Sequence, residues 1–271
     1  MSETKTIGII AGNGIYPETF AAAARKNEPG CKLVVAAFNG ETKEDLGEKV
    51  DAIEWFRVGQ LSKIIKFFKR EGVTRAIMVG QIAPKNLFDL RPDMRILMIL
   101  ARVKKRNAET LFGAIADELD KDGIELINAT TYLDDLLPEP GHVCGPKLKK
   151  RQQEDAEYGF EIAKESSRLD IGQSVVVRHG TVLAVEAFEG TNDCIKRGGK
   201  LGRGKSCTLA KVSKPNQDFR FDVPVLGALT IEACSEAGVG VIACEAKRTL
   251  ILGKEEVEKI CKEKGVSIVA L

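Results

Sequence analysis

From Lys211 to Gly227 the chain reads K-V-S-K-P-N-Q-D-F-R-F-D-V-P-V-L-G. One short segment thus gathers two carboxylates (Asp218, Asp222), a guanidinium (Arg220), two ammonium groups (Lys211, Lys214) and the amide of Gln217. Pro215 and Pro224 fence it in; each fixes φ, lacks a donor, and pushes the preceding residue toward extended backbone. The reading is a stiff, extended surface loop. Alternation then sends Asp218, Arg220 and Asp222 to one side, and Phe219, Phe221 and Val223 to the other. The aromatic side anchors the loop while the charged side holds a carboxylate still. A solvated turn carrying an Arg–Asp surface pair is the alternative that the same residues allow.

Other stretches carry polar groups suited to anions or cations. Gly12-Asn13-Gly14 follows an apolar run and precedes an Ala-rich helix, a geometry that turns backbone N–H groups toward an anion. Gly80-Gln81 closes a second apolar run. The first turn is not a dinucleotide fingerprint, because Pro17 stands where the third glycine belongs and no acid closes the next strand. Glu186 and Glu189 stand beside Gly190 and Thr191, two acids near a hydroxyl. The basic run Arg197-Gly198-Gly199-Lys200-Leu201-Gly202-Arg203-Gly204-Lys205 resembles a flexible phosphate-embracing loop without P-loop spacing. With only two histidines, His142 and His179, a His-based zinc or iron centre cannot be built. Any metal would be a hard cation held by carboxylates.

The elements that must position these groups alternate between strand and helix. Residues 5–11, Lys32–Ala37, Ala52–Phe56, Val73–Val79 and Ile124–Ile127 read as strands buried on both faces. Leu61, Ile64, Ile65 and Phe68 recur with helical period opposite Lys63 and Lys66. Further helices are expected to about Asn27 and over 93–103 and 107–121. This is a doubly wound, mostly parallel domain over 1–133, with the glycine turns at the ligand-binding rim. Residues 134–150 lose periodicity and carry Pro138, Pro140 and Pro146, so they read as a linker. From 151 to 271 a mixed-sheet α/β domain follows, opening with a helix to about Ser167. Its strands at Ser174–Arg178 and Thr181–Ala187 form a hairpin with His179 idle at the tip. A strand over Ser206–Val212 leads into the charged segment.

Composition excludes several classes. A hydrophobic share of 44% with 30% charged residues is that of a soluble globular chain. The formal net charge of +2 gives no nucleic-acid footprint. Seven dispersed cysteines without a C-x-x-C pair, and a start lacking signal-peptide features, read as reduced thiols in the cytoplasm. No apolar run approaches the about 18 residues of a spanning helix. The nearest, Ile96–Val103 with Lys104, Lys105 and Arg106 behind it, could rest on a bilayer surface.

Several long motifs in order resemble the LpxI-type UDP-2,3-diacylglucosamine pyrophosphatases of Gram-negative bacteria. They are I-G-I-I-A-G-N-G-I-Y-P at the start, Leu169-Asp170-Ile171-Gly172-Gln173, V-L-A-V-E-A-F-E-G-T over Val182–Thr191, and the segment from Lys211 to Gly227. Two departures stand out: Asn192 precedes Asp193, and K-R-N-A-E-T-L replaces the family's K-G-D-D-A-L-L-type helix entry. The resemblance implies two α/β domains with the substrate in the cleft between them. It implies Mg²⁺-dependent hydrolysis of UDP-2,3-diacylglucosamine to UMP and lipid X, by water attack at the α-phosphorus, in lipid A biosynthesis. It makes Asp222 the catalytic carboxylate; the chemistry of anhydride cleavage then adds Asp222 as the cation's ligand, with Glu186 or Glu189 as helpers, and Arg220 and Lys211 to offset phosphoryl charge. Substrate contacts would come from Gly12, Asn13, Gly14, Gly80, Gln81, Gly190, Thr191, Lys211 and Gln217. The implied partners are that lipid nucleotide and, transiently, the cytoplasmic face of the inner membrane; a homodimer is left open. A non-catalytic UDP-sugar or lipid sensor is the alternative.

Overall fold

The computed structural model describes residues 5–82, 92–103 and 108–271, and they fold as α/β structure throughout. Two compact units divide the chain: Met1–Leu133 with Asp218–Asp222, and Asp134–Gln217 with Val223–Leu271.

The apolar runs of the N-terminal unit form five parallel strands: β1 (Thr6–Ala11), β2 (Lys32–Phe38), β3 (Ala52–Phe56), β4 (Arg75–Val79) and β5 (Glu125–Leu126). Their order is β3-β2-β1-β4-β5, so the winding reverses between β1 and β4. Among the described residues four helices accompany them: α1 (Tyr16–Asn27), α2 (Leu61–Arg70), α3 (Met94–Arg102) and α4 (Ala108–Lys121). Pro17 sits in the first turn of α1, where its missing N–H costs nothing. The period read for α2 holds: Leu61, Ile64, Ile65 and Phe68 are buried, each contributing roughly 1.5–3 kcal/mol relative to exposure. Gly8 lets this helix lie close, since a Cβ there would stand 2.8 Å from Val73 and 3.1 Å from Phe68.

The C-terminal unit is built on a six-stranded mixed sheet, ordered β6-β13-β11-β9-β7-β8. Its strands are β6 (Gly141–Cys144), β7 (Ser174–Arg178), β8 (Thr181–Val185), β9 (Cys207–Lys211), β11 (Val239–Cys244) and β13 (Ser267–Ala270). The short β10 (Val225–Leu226) and β12 (Leu250–Ile251) pair in parallel beside it. Helix α5 (Lys150–Arg168) covers one face over Val175, Val177, Ala210 and Val241. Helices α6 (Thr191–Leu201), α7 (Ala228–Glu236) and α8 (Lys254–Lys264) cover the other over Val176, Leu209 and Ile242. Successive residues of β7 therefore enter opposite cores, as strand alternation requires.

Two expectations need correction here. Residues 134–150 are not a free linker, because Gly141–Cys144 pairs antiparallel with β13 at the sheet edge. An edge strand of only four residues flanked by prolines is too short to leave a periodic signal. Nor is 197–205 a phosphate loop: most of its glycines lie in or at the end of α6. A Cβ on Gly198 would stand 2.5 Å from the Val176 Cβ, and one on Gly199 2.1 Å from the Ala237 carbonyl oxygen. Those glycines admit close packing rather than a ligand.

The hairpin at His179-Gly180 is present, with both residues at positive φ (52° and 71°), the backbone of a two-residue type I′ turn. His179 is exposed. The carboxylate of buried Asp155 accepts from the amides of His179 (2.8 Å) and Gly180 (2.7 Å). All seven cysteines are free and buried.

Candidate active site

The segment holding Asp222 is folded into two consecutive turns rather than extended. In the first, the Lys214 amide donates to the Gln217 Oε1 (2.7 Å) and the Gln217 amide to the Lys214 carbonyl (3.2 Å). In the second, the Phe221 and Asp222 amides donate to the Asp218 carbonyl at 3.2 and 3.0 Å. The Asp218 carboxylate accepts from the Arg220 amide (3.0 Å) and in bidentate fashion from the Arg220 Nε and Nη2, at 3.0 and 2.7 Å. An aspartate that binds backbone two residues on is a turn former, and this outweighs the stiffening by the two prolines. The Arg–Asp pair is thus local and structural, while the Asp222 side chain is exposed.

Sequence reasoning missed what fixes this turn to the N-terminal unit. The Ala129 amide donates to the Phe219 carbonyl at 2.8 Å, and the Ala129 carbonyl accepts from the hydroxyl of buried Tyr16 at 2.6 Å. The Phe221 ring packs on Phe112, centroids 5.7 Å apart, and joins the core shared by α2, α3 and α4. Tyr16 belongs to the opening G-N-G-I-Y-P motif, so two motifs far apart in sequence meet through one hydrogen-bonded chain. A lone tyrosine carries no sign of so distant a partner.

Hydrogen bonds from Arg220 hold the Asp218 carboxyl below its usual range against the opposing effect of burial. A lowered folded-state value means its contribution is complete above the ordinary aspartate value of about 3.9 and is lost as pH falls through the lower one. Hydrogen exchange over 219–223, corrected for intrinsic rate, is therefore expected to stay flat from about pH 7 to 5 and to rise only below about pH 4. Loss of protection at pH 6 would show that this pair does not hold the turn.

Gly12, Asn13, Gly14, Gly80 and Gln81 do meet, at the carboxyl ends of β1 and β4 where the winding reverses. Their amides, however, are largely bonded to each other. Gly12 donates to the Val79 carbonyl (2.8 Å), Asn13 to Gln81 (2.6 Å), Gln81 to Asn13 (3.1 Å), and Gly14 to the Asn13 Oδ1 (2.6 Å). The expected anion cradle of backbone N–H groups is instead a backbone clasp. A Cβ on Gly12 would stand 2.6 Å from the Gln81 carbonyl oxygen, and one on Gly80 2.8 Å from that of Asn13. Asn13, Gly14 and Gln81 remain exposed beside it.

In the C-terminal unit, the Thr191 hydroxyl donates to the Glu186 Oε1 (3.1 Å) and lies 3.3 Å from the Ser174 Oγ. The Glu186 Oε2 is buried without a hydrogen-bond partner. Gly190, at φ 83°, starts α6 and permits this approach. Glu189 is engaged elsewhere: Arg197 pairs with its carboxylate, and its Oε2 accepts from the Ala187 amide at 3.1 Å. Lys211, half-buried, reaches the Val225 carbonyl at 3.5 Å, and Lys214 pairs with Asp170. Gln217 is buried with its Nε2 unpartnered. Glu245 anchors the start of the segment, accepting from the Ser213 amide (2.8 Å) and hydroxyl (2.6 Å) and pairing with Lys164 at 2.9 Å.

A divalent cation fits this donor set in one way only. Among the described residues no three His, Cys, Asp or Glu side chains cluster to hold a metal. Mg²⁺ needs no such cage; it commonly takes one or two carboxylates, with waters and substrate phosphates completing the shell. Exposed Asp222, or Glu186 with its orphaned oxygen, suits that chemistry, whereas Glu189 is taken by Arg197. Of the departing stretch K-R-N-A-E-T-L, residues 105–107 lie outside the described residues and 108–111 open α4.

Two α/β units, one with an open parallel sheet and one with a mixed sheet, define the class of the protein. Residues 6–136 match the LpxI N-terminal domain and residues 139–269 the LpxI C-terminal domain. The chain belongs to the LpxI family. The UDP-2,3-diacylglucosamine pyrophosphatase LpxI of Caulobacter vibrioides is 28% identical to it over 277 residues, covering 98% of each chain.

Proposed function

We propose that the chain hydrolyses UDP-2,3-diacylglucosamine in lipid A synthesis, giving UMP and 2,3-diacylglucosamine 1-phosphate. The observation that carries the reading is Asp222: an exposed carboxylate at the end of a turn fixed through Phe219, Phe221 and the Asp218–Arg220 pair. Family membership over both units supplies the substrate class.

In this mechanism water attacks the α-phosphorus, the bond from that phosphorus to the bridging oxygen breaks, and the sugar 1-phosphate leaves with that oxygen. Asp222 orients the water and takes its proton, and it is the residue that would hold a divalent cation. A bound Mg²⁺ supplies charge neutralisation on the phosphoryl oxygens and lowers the pKa of coordinated water. Arg220 contacts phosphate through Nη1, since Asp218 takes Nε and Nη2, and its fixed plane suits an anion of defined geometry. Asn13 and Gln81 contribute side chains at the reversal point of the parallel sheet, where open α/β sheets bind ligands. Thr191, Lys211 and Gln217 are the proposed contacts from the C-terminal unit. The protein works in the cytoplasm, meeting its lipid at the inner membrane surface.

Incubation with the lipid nucleotide and Mg²⁺ in oxygen-18 water tests the reading. Label is expected in UMP. Label in the lipid phosphate would move the attack to the β-phosphorus. Thermal stabilisation by the nucleotide without any UMP release would make the chain a sensor.

A further inference from the structure

Helix α3 is apolar on two sides. Ile96 and Ile99 are buried in the core with α2 and α4. On the other side Met94, Leu97 and Met98 are 70%, 46% and 44% exposed, and Ala101 is exposed in line with them. Their spacing of i, i+3, i+4 and i+7 makes one continuous helical face. A helix apolar all round is normally covered on every side; here one side is open. The helix is also firmly seated: the Asp93 carboxylate accepts from the Arg95 and Ile96 amides, and Arg95 pairs with Asp122 and Glu118.

The charge beside this face selects what covers it. Arg102, 68% exposed, has Glu118 near it only at 3.9 Å. In sequence Lys104-Lys105-Arg106 follow Arg102 within two residues. An apolar stripe with cations at one end matches an anionic bilayer, acyl region against the side chains and headgroups against the cations. A second copy on the same face would bring the same cations into the interface. Nine residues of helix span about 14 Å, too short to cross a bilayer, and among the described residues no helix is long and apolar enough to do so.

We infer that the Met94–Leu97–Met98–Ala101 face docks the protein flat on an anionic lipid surface. The inference rests on the reading of a lipid substrate and names the face by which the protein reaches it. The test is co-sedimentation of the full chain with vesicles of phosphatidylcholine alone, or mixed equally with phosphatidylglycerol, at low and high salt. The wild type is expected to bind the anionic vesicles and to release in high salt. The variant Met94→Ser/Leu97→Ser/Met98→Ser should bind at least ~10-fold more weakly with an unchanged melting temperature, since these side chains are exposed. Equal binding by the variant, or no binding by the wild type, overturns the inference. So does a wild-type dimer in light scattering that the variant converts to monomer without change in vesicle binding. Turnover of detergent-solubilised substrate is measured alongside. Its persistence when docking fails leaves the hydrolytic reading standing, and its absence with docking intact removes that reading alone.

Discussion

Replacing Asp222 with Asn is expected to lower turnover at least ~10³-fold while leaving the melting temperature and substrate affinity nearly unchanged. The side chain is exposed, and the turn that carries it is held by other groups: the Asp218 carbonyl, the Asp218 carboxylate and the Phe219 bond to Ala129. Asn keeps the shape and loses only the charge. It can neither accept a proton from water nor neutralise a cation, so the loss falls on kcat rather than on KM. Asp218→Asn makes the contrast. Asp218 pairs with Arg220 and ties its own turn, so that variant should loosen the segment, with exchange over 219–223 rising before chemistry is lost. If Asp222 holds the proposed cation, raising Mg²⁺ should rescue Asp222→Asn poorly, because the charge removed is then the ligand's own. Near-normal turnover of Asp222→Asn would remove this carboxylate from the mechanism and shift attention to Glu186.

The sheet and most helices were legible because burial leaves a period. Apolar runs gave β1 to β4, and the repeat of Leu61, Ile64, Ile65 and Phe68 gave α2. Edges and close contacts leave no such trace. The strand Gly141–Cys144 has only four residues and pairs on one side only, so the prolines around it read as a linker. Around Asp222 the prolines do not decide the backbone: Asp218 bonds the Arg220 amide and closes a turn that alternation does not foresee. Glycine was ambiguous throughout. At Gly12 and Gly80 it admits the crossing of two backbones, and at Gly198 it admits a strand. A sequence cannot separate these uses from a glycine kept for an anion, because all three require only that a Cβ be absent. The candidate residues at Asp222 stand out by their types, while Tyr16, Ala129 and Phe112, which fix the turn that carries it, do not.

Gly172 in the D-I-G-Q motif yields the second large effect. Its φ lies outside the positive range, so conformational freedom is not what it provides. A Cβ there would stand 2.0 Å from the Glu186 carbonyl oxygen and 2.6 Å from the Glu186 carbonyl carbon. Both are backbone atoms of the strand end, and the Glu186 amide is itself held at 2.8 Å by the Ser174 carbonyl. Gly172→Ala must therefore push the 186 corner away and weaken that bond, carrying the Glu186–Thr191 contact with it. Overpacking of this kind costs typically 1–3 kcal/mol, and backbone neighbours place it at the upper end, about 3 kcal/mol. With a urea slope of about 1–3 kcal/mol per molar, the unfolding midpoint of the C-terminal unit should fall by at least ~1 M. Gly240→Ala is the control: it lies in β11 with nothing within 4 Å of the added Cβ and no positive φ, so it should be nearly neutral. If Glu186 takes part in catalysis, Gly172→Ala also loses activity below the unfolding transition and Gly240→Ala does not. Equal midpoints for the two variants would mean that the approach of Gly172 to Glu186 is relieved without cost, and the motif's glycine would need another reason.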